Sequence, residues 1–167
     1  MVGSVEPASQ TIISASSEQT DALGRRLGSL LQPGDLVLLL GDLGSGKTQL
    51  AKGIAAGLGS GDLVTSPSFV LVNEYQAGAQ ANGATIYHAD LYRIEDPDEL
   101  LGIGLEEAWS GPNISLVEWA ERAGARLPDQ HLAVHMRYLD ETTREIAFVA
   151  HGQRYEELVR EISEARE

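Results

Sequence analysis

Apolar residues recur along this chain with two periods, and the alternation between them lays out the expected elements. Gln10 to Ser14 fits a short strand. Ser16-Ser17-Glu18-Gln19-Thr20 predicts a helix start, with a serine side chain to cap the first free N–H groups and Glu18 at the positive end. Ala22, Leu23, Leu27, Leu30 and Leu31 keep a helical period until Gln32-Pro33-Gly34 stops it. Asp35 opens the continuous apolar run Leu36 to Leu40, the mark of a strand covered on both faces. Such strands belong to parallel sheets of α/β domains. Lys47 to Leu58 predicts a second helix, ended by Gly59-Ser60-Gly61. Ser68 to Tyr75 and Ala84 to Asp90 predict two strands, with Gln76 to Gly83 as a hairpin connection. Asp96 to Trp109 predicts a helix broken at Gly102 and Gly104, and Asn113 to Trp119 another strand. Leu132, Val134, Met136 and Tyr138 alternate, as do Ile146, Phe148 and Ala150, so Asp140 to Thr143 should turn one strand into the next. Tyr155, Leu158, Val159 and Ile162 mark the buried stripe of a last helix.

Length and charge narrow what this pattern is for. A chain of 167 residues is expected to form a single domain over 1–167, with the small, polar residues 1–9 frayed. Acids outnumber bases 25 to 12, a net charge of −13, which argues against phosphate-led nucleic-acid binding and against anionic membrane surfaces. The absence of cysteine excludes disulfide scaffolds, thiolate metal sites and thiol nucleophiles. The longest aliphatic run, Leu36 to Leu40, is too short to span a bilayer, and Met1 to Gln10 carries neither a base nor an apolar stretch, so no signal peptide and a cytoplasmic location are expected.

The chemistry concentrates between the first buried strand and the helix that follows it. Gly41-Asp42-Leu43-Gly44-Ser45-Gly46-Lys47-Thr48 fits G-x-x-x-x-G-K-[ST]. Glycines let the backbone curl until successive N–H groups point at phosphate oxygens, and the helix adds its positive end. Lys47 would set a charge on the outer phosphates, and the Thr48 hydroxyl could ligate Mg2+. The chain has only one other lysine, Lys52, read as a solvated helix residue. A phosphate-binding loop also needs an acid at the end of another buried strand, and two strands offer one, ending in Asp90 and in Glu118. Aspartate is the usual residue at the metal position, so Glu118 is a departure. Asn-Lys-x-Asp is absent and the only Asp-x-x-Gly, Asp21 to Gly24, precedes the loop, which argues against a Ras-like GTPase. Arginines are scattered rather than clustered as a lid, which disfavours a small-molecule kinase, the alternative enzyme class. A nucleotide-dependent binding switch with negligible hydrolysis is the non-enzymatic alternative.

Other candidates read more plainly. His131 and His135 share a strand face but stand roughly 13 Å apart, too far for one metal, and are read as ordinary strand histidines. His88 would share its face with Asp90. Trp119, after Glu118, is read as a core or interface residue before a nucleotide contact. Asp90 to Glu107 holds seven acids and one base, a solvated face or a surface for a basic partner.

The loop is followed by Thr65-Ser66-Pro67-Ser68-Phe69, His88-Ala89-Asp90-Leu91-Tyr92-Arg93, Asp96-Pro97-Asp98-Glu99-Leu100, Leu116-Val117-Glu118-Trp119 and Leu127-Pro128. This order and spacing resembles the TsaE family (formerly YjeE), over about Ser17 to Tyr138. The resemblance implies a P-loop NTPase with a central, mainly parallel sheet, helices on both faces and an antiparallel hairpin near the C-terminus. It implies a Mg2+-dependent ATPase that works with TsaD and TsaB in modifying the adenosine beside the tRNA anticodon, meeting tRNA only through that complex. It assigns Thr48 and Glu118 to Mg2+ and Asp90, with Lys47, to hydrolysis. For nucleotide contact it offers Gly41, Asp42, Leu43, Gly44, Ser45, Gly46, Lys47, Thr48, Gln49, Arg144, and Ser66 and Ser68 of a switch-like loop. Ser45 stands where alanine is frequent and Ser68 where threonine is frequent.

Overall fold

The computed structural model describes residues 8–67, 72–102 and 105–164. Its strands are β1 (Ser9–Ser14), β2 (Leu36–Leu40), β3 (Val72–Gln76), β4 (Thr85–Asp90), β5 (Ile114–Glu118), β6 (His131–Tyr138) and β7 (Arg144–His151). Its α-helices are α1 (Ser17–Leu30), α2 (Lys47–Gly57), α3 (Leu105–Ser110) and α4 (Gln153–Glu164), with 3-10 turns at Ala79–Ala81, Pro97–Gly102 and Ala120–Arg126. The seven strands form one sheet in the order β1-β7-β6-β2-β5-β4-β3. The four central strands β6, β2, β5 and β4 are mutually parallel, whereas β1, β7 and β3 pair antiparallel. The predicted mixed α/β architecture, with its C-terminal hairpin, is therefore observed.

Details depart from the sequence reading for local reasons. Residues 8 and 9 are not frayed: Ser9 begins β1 opposite Val149, and Ala8 accepts a hydrogen bond of 2.9 Å from the Ala150 N–H. β3 starts at Val72, and Ser68 lies outside the described residues. The 3-10 stretch Ala120–Arg126 was not foreseen, because Gly124, at φ +55°, breaks its periodicity.

The two faces of the sheet are covered unequally. α1, α2 and α4 bury Leu27, Leu50, Ile54, Leu158 and Ile162 against Val37, Leu39, Leu116, Val134 and Phe148 on one face. The other face, with Leu36, Leu38 and Val117, is covered by shorter pieces that supply Leu100, Leu105, Ala108 and Ala123. α1 starts at the Ser16 cap, whose hydroxyl accepts from the Gln19 N–H at 3.1 Å. α4 is fixed to the start of β2 by Arg154, which donates to Asp35 at 2.9 and 3.1 Å, and by the Tyr155 hydroxyl, which accepts from the Leu36 N–H.

α1 and α2 meet through glycines. A Cβ at Gly28 would lie 2.1 Å from the Ile54 carbonyl oxygen, and one at Gly53 would lie 2.5 Å from that of Asp21. Both collisions are with backbone, which cannot rotate away. Gly28→Ala is therefore expected to push α2 off α1 and destabilise the fold by about 1–3 kcal/mol. Thermal melting should show a Tm several degrees lower; an unchanged Tm would mean the helices part at no cost.

Candidate functional site

β2 ends in a tight loop, and α2 begins at its far side. Gly41 has φ +152°, and a Cβ there would come within 2.4 Å of the Met136 carbonyl oxygen, so only glycine lets the loop leave the sheet here. Gly46 caps α2 at φ +101°, a left-handed conformation that other residues adopt at a cost. The Ser45 hydroxyl inside the loop is buried and, among the described residues, is the one buried side-chain polar atom without a hydrogen-bond partner. An oxygen ligand held by the loop would supply the missing acceptor.

The parallel register delivers the rest. In β5, Glu118 lies opposite Leu39 of β2 on one side and Asp90 of β4 on the other. Glu118, Asp90 and His88 follow the same alternation as Leu116 and Ile86, so they face the side on which α2 packs. The first turn of α2 meets them: the Thr48 hydroxyl is 3.3 and 3.5 Å from the two Glu118 carboxylate oxygens. Glu118 Oε2 is also 2.5 Å from His88 Nε2, on a fully buried ring. Asp90 is buried and accepts from the Tyr92 N–H at 2.8 Å, so it shapes the turn after β4 as well as facing the cleft. The cleft encloses about 380 Å3, and Lys47, Thr48, Ser66, Asp90 and Glu118 are among its lining residues.

Lys47 brings a positive charge into this cleft. Its ammonium donates to the carbonyl oxygens of Gly41 and, at 3.0 Å, of Asp42. It also stands 4.3 Å from the centre of the Trp119 ring. Burial lowers its pKa from the ordinary lysine value; Glu118, Glu121, Asp90 and Asp42 oppose that shift. Trp119 reaches this position through a left-handed backbone, φ +57°, which costs a non-glycine residue roughly 1–2 kcal/mol. Tyr92 also packs against the Trp119 ring, tilted, with ring centres 5.0 Å apart.

Of the residues singled out in the sequence, the structure gathers Leu43, Gly44, Ser45, Gly46, Lys47, Thr48, Gln49, Ser66, Asp90 and Glu118 around one cleft. Arg144 lines a neighbouring cleft of about 270 Å3, which shares Gly46 and Gln49 with the first and is bordered by Ser16 and Glu18. Its guanidinium is held by the carbonyl oxygens of Asp140 and Thr143 and lies over the Tyr138 ring. Tyr92 and Arg93 also line the main cleft, although the sequence reading gave them no role. Their signal was adjacency to Asp90 at a strand end. His131 does not join His135; it stacks on His151 across the β6–β7 pair, centres 4.6 Å apart, at the start of β6 and so away from the strand ends that carry the site. Asp98 and Glu106 of the acidic segment are bridged by Arg126, Glu106 at 3.8 Å.

Thr48 and Glu118 offer only oxygen donors, the set that a hard cation such as Mg2+ takes when phosphate and water complete its shell. The glycine loop, the helix N-terminus and Lys47 bring together the backbone donors and positive charge that phosphate oxygens would take. The residues present therefore fit a Mg2+-bound nucleoside phosphate.

Residues 14–146 match the family model described as threonylcarbamoyl adenosine biosynthesis protein TsaE. A Bacillus subtilis relative called tRNA threonylcarbamoyladenosine biosynthesis protein TsaE is 40% identical over 146 residues, covering 87% of this chain and 89% of its own. A Nostoc protein of the same name is 41% identical over 138 residues, covering 80% and 82%. The crystal structure of Bacillus subtilis YdiB superimposes with a TM-score of 0.82 at 34% identity, covering 98% of this chain and all of that one.

Proposed function

Because the chain belongs to the TsaE family of tRNA threonylcarbamoyladenosine biosynthesis, we propose that it is a Mg2+-dependent ATPase that serves this modification by cycling a TsaD–TsaB complex. The observation that carries the reading is the meeting of the glycine loop with Thr48, Glu118 and Asp90 in one cleft. Loop N–H groups and Lys47 bind the phosphates of ATP, with Gly41, Asp42, Leu43, Gly44, Ser45, Gly46 and Gln49 shaping the cradle. Thr48 and Glu118 hold Mg2+, which supplies charge neutralisation on the phosphate oxygens when bound. Asp90 orients the attacking water and accepts its proton as the bond to phosphorus forms and the ADP oxygen leaves. Ser66 lies at the same cleft and senses the terminal phosphate, a role that the family resemblance extends to Ser68, while Arg144 approaches from the neighbouring cleft. The chain acts as a single domain in the cytoplasm. A net charge of −13 opposes direct contact with tRNA phosphates, so tRNA is met through the protein complex.

Two variants test the assignments. Glu118→Ala is expected to weaken ADP binding in Mg2+ by about tenfold or more while leaving affinity in EDTA nearly unchanged. Isothermal titration checks it; an equal loss in both buffers would reduce Glu118 to a folding role. Asp90→Asn keeps size and hydrogen bonding but removes the negative charge. It should lower the turnover of ATP by roughly 10²–10⁴-fold with ATP affinity preserved. Wild-type kcat, or loss of ATP binding altogether, would remove Asp90 from the hydrolytic role.

A further inference from the structure

Behind the cleft, a line of hydrogen bonds leaves Glu118 and returns to the cleft at another point. Glu118 uses its two oxygens differently: both lie near the Thr48 hydroxyl, but Oε2 is taken by His88 Nε2 at 2.5 Å. The opposite ring nitrogen, Nδ1, is 3.0 Å from the Tyr75 hydroxyl. That hydroxyl is in turn 3.2 Å from the Thr65 carbonyl oxygen. Asn73 Nδ2 donates to the same oxygen at 3.2 Å and lies 3.4 Å from the Thr65 hydroxyl. Thr65 immediately precedes Ser66, which lines the cleft with Glu118. The β3–β4 register makes this possible: Asn73 pairs with His88, and Tyr75 lies two residues further along β3 on the same face.

We propose that His88 and Tyr75 are positioning residues that couple the Glu118 carboxylate to the Thr65–Ser66 backbone, so that engagement of Glu118 by Mg2+ is felt at that loop. The proposal rests on the Mg2+-nucleotide reading above. In the tautomer that carries its hydrogen on Nε2, toward the carboxylate, Nδ1 is an acceptor facing the Tyr75 hydroxyl. The Tyr75 hydroxyl has one proton and two acceptors within reach, His88 Nδ1 and the Thr65 carbonyl oxygen. Burial raises the Tyr75 pKa from its ordinary value, so the phenol stays protonated and remains a donor. A change in how Glu118 holds the imidazole therefore alters which acceptor the hydroxyl serves. The loop carbonyl then gains or loses a bond beyond the one from Asn73. No apolar side chain at 75 could pass on such a change.

The test cuts the line behind the Glu118 carboxylate at two points. Tyr75→Phe removes the hydroxyl and spares the His88–Glu118 contact. His88→Gln keeps an amide donor for Glu118 but offers no ring nitrogen to Tyr75. For the full-length wild type and both variants, ADP affinity is measured by isothermal titration in EDTA and in Mg2+. Amide hydrogen exchange of Val64, Thr65 and Ser66 is followed in the same two ADP complexes. In the wild type, Mg2+ should tighten ADP and slow exchange at residues 64–66. The Mg2+-dependent tightening should survive within about tenfold in Tyr75→Phe and fall by about 10–100-fold in His88→Gln, which changes a direct partner of Glu118, while in both the exchange response at residues 64–66 disappears. A variant whose loop still answers Mg2+ as the wild type does would overturn the proposal. So would a wild-type loop that ignores Mg2+ although Mg2+ tightens ADP, and in that case the metal-site reading would stand. If Mg2+ fails to tighten ADP in the wild type, the metal-site reading falls and takes this proposal with it. Should Tyr75→Phe fail to fold, His88→Gln decides alone.

Discussion

β5 lies parallel between β2 and β4 with Glu118 level with Leu39 on one side and Asp90 on the other, and the site depends on that register. Side chains alternate along a strand, so a slip of one residue would put Val117 at this position and turn Glu118 to the opposite face. Val117 belongs to the second core, and Leu116 to the first, so the apolar pattern on both sides penalises the slip. The hydrophobic core thus fixes where the carboxylates stand. Because all three strands run in one direction, their carboxyl ends open at the same edge, and the loop after β2 arrives there as well.

A second constraint brings the helix to the acids. α2, which presents Thr48 to Glu118, packs close to α1, with backbone meeting backbone at Gly24, Gly28, Gly53 and Gly57. α1 is held in turn by its Ser16 cap, and α4 is tied to the start of β2 through Asp35. Buried charge is tolerated because each group has partners. Lys47 is served by two carbonyl oxygens and an aromatic face, and Glu118 by a hydroxyl and an imidazole.

Much of this was legible in the chain itself. The run Leu36 to Leu40 is continuous and aliphatic, and it is the central strand; Leu132 to Tyr138 and Ile146 to Ala150 alternate, and they form the hairpin. The glycine loop and its lysine follow from a spacing that has a mechanical reason, and the resemblance to a known family ordered Asp90 and Glu118 into roles. What stayed hidden needed three dimensions. His88 could be placed on the face of Asp90, but its contact with Glu118 joins strands 30 positions apart, and its contact with Tyr75 needs the β3–β4 register. The glycines of α1 and α2 look like weak helix positions until the helices are seen to touch. Trp119 gave no hint of its left-handed backbone, nor of the contacts with Tyr92 and Lys47 that its side chain makes from there.

One measurement bears on the central claim most directly: steady-state phosphate release from ATP by the wild-type chain, in Mg2+ and in EDTA, alone and with TsaD–TsaB added. The account predicts release in Mg2+ that EDTA abolishes and that the partner complex alters. Release unaffected by EDTA, or none above the uncatalysed rate in any arm, would contradict it.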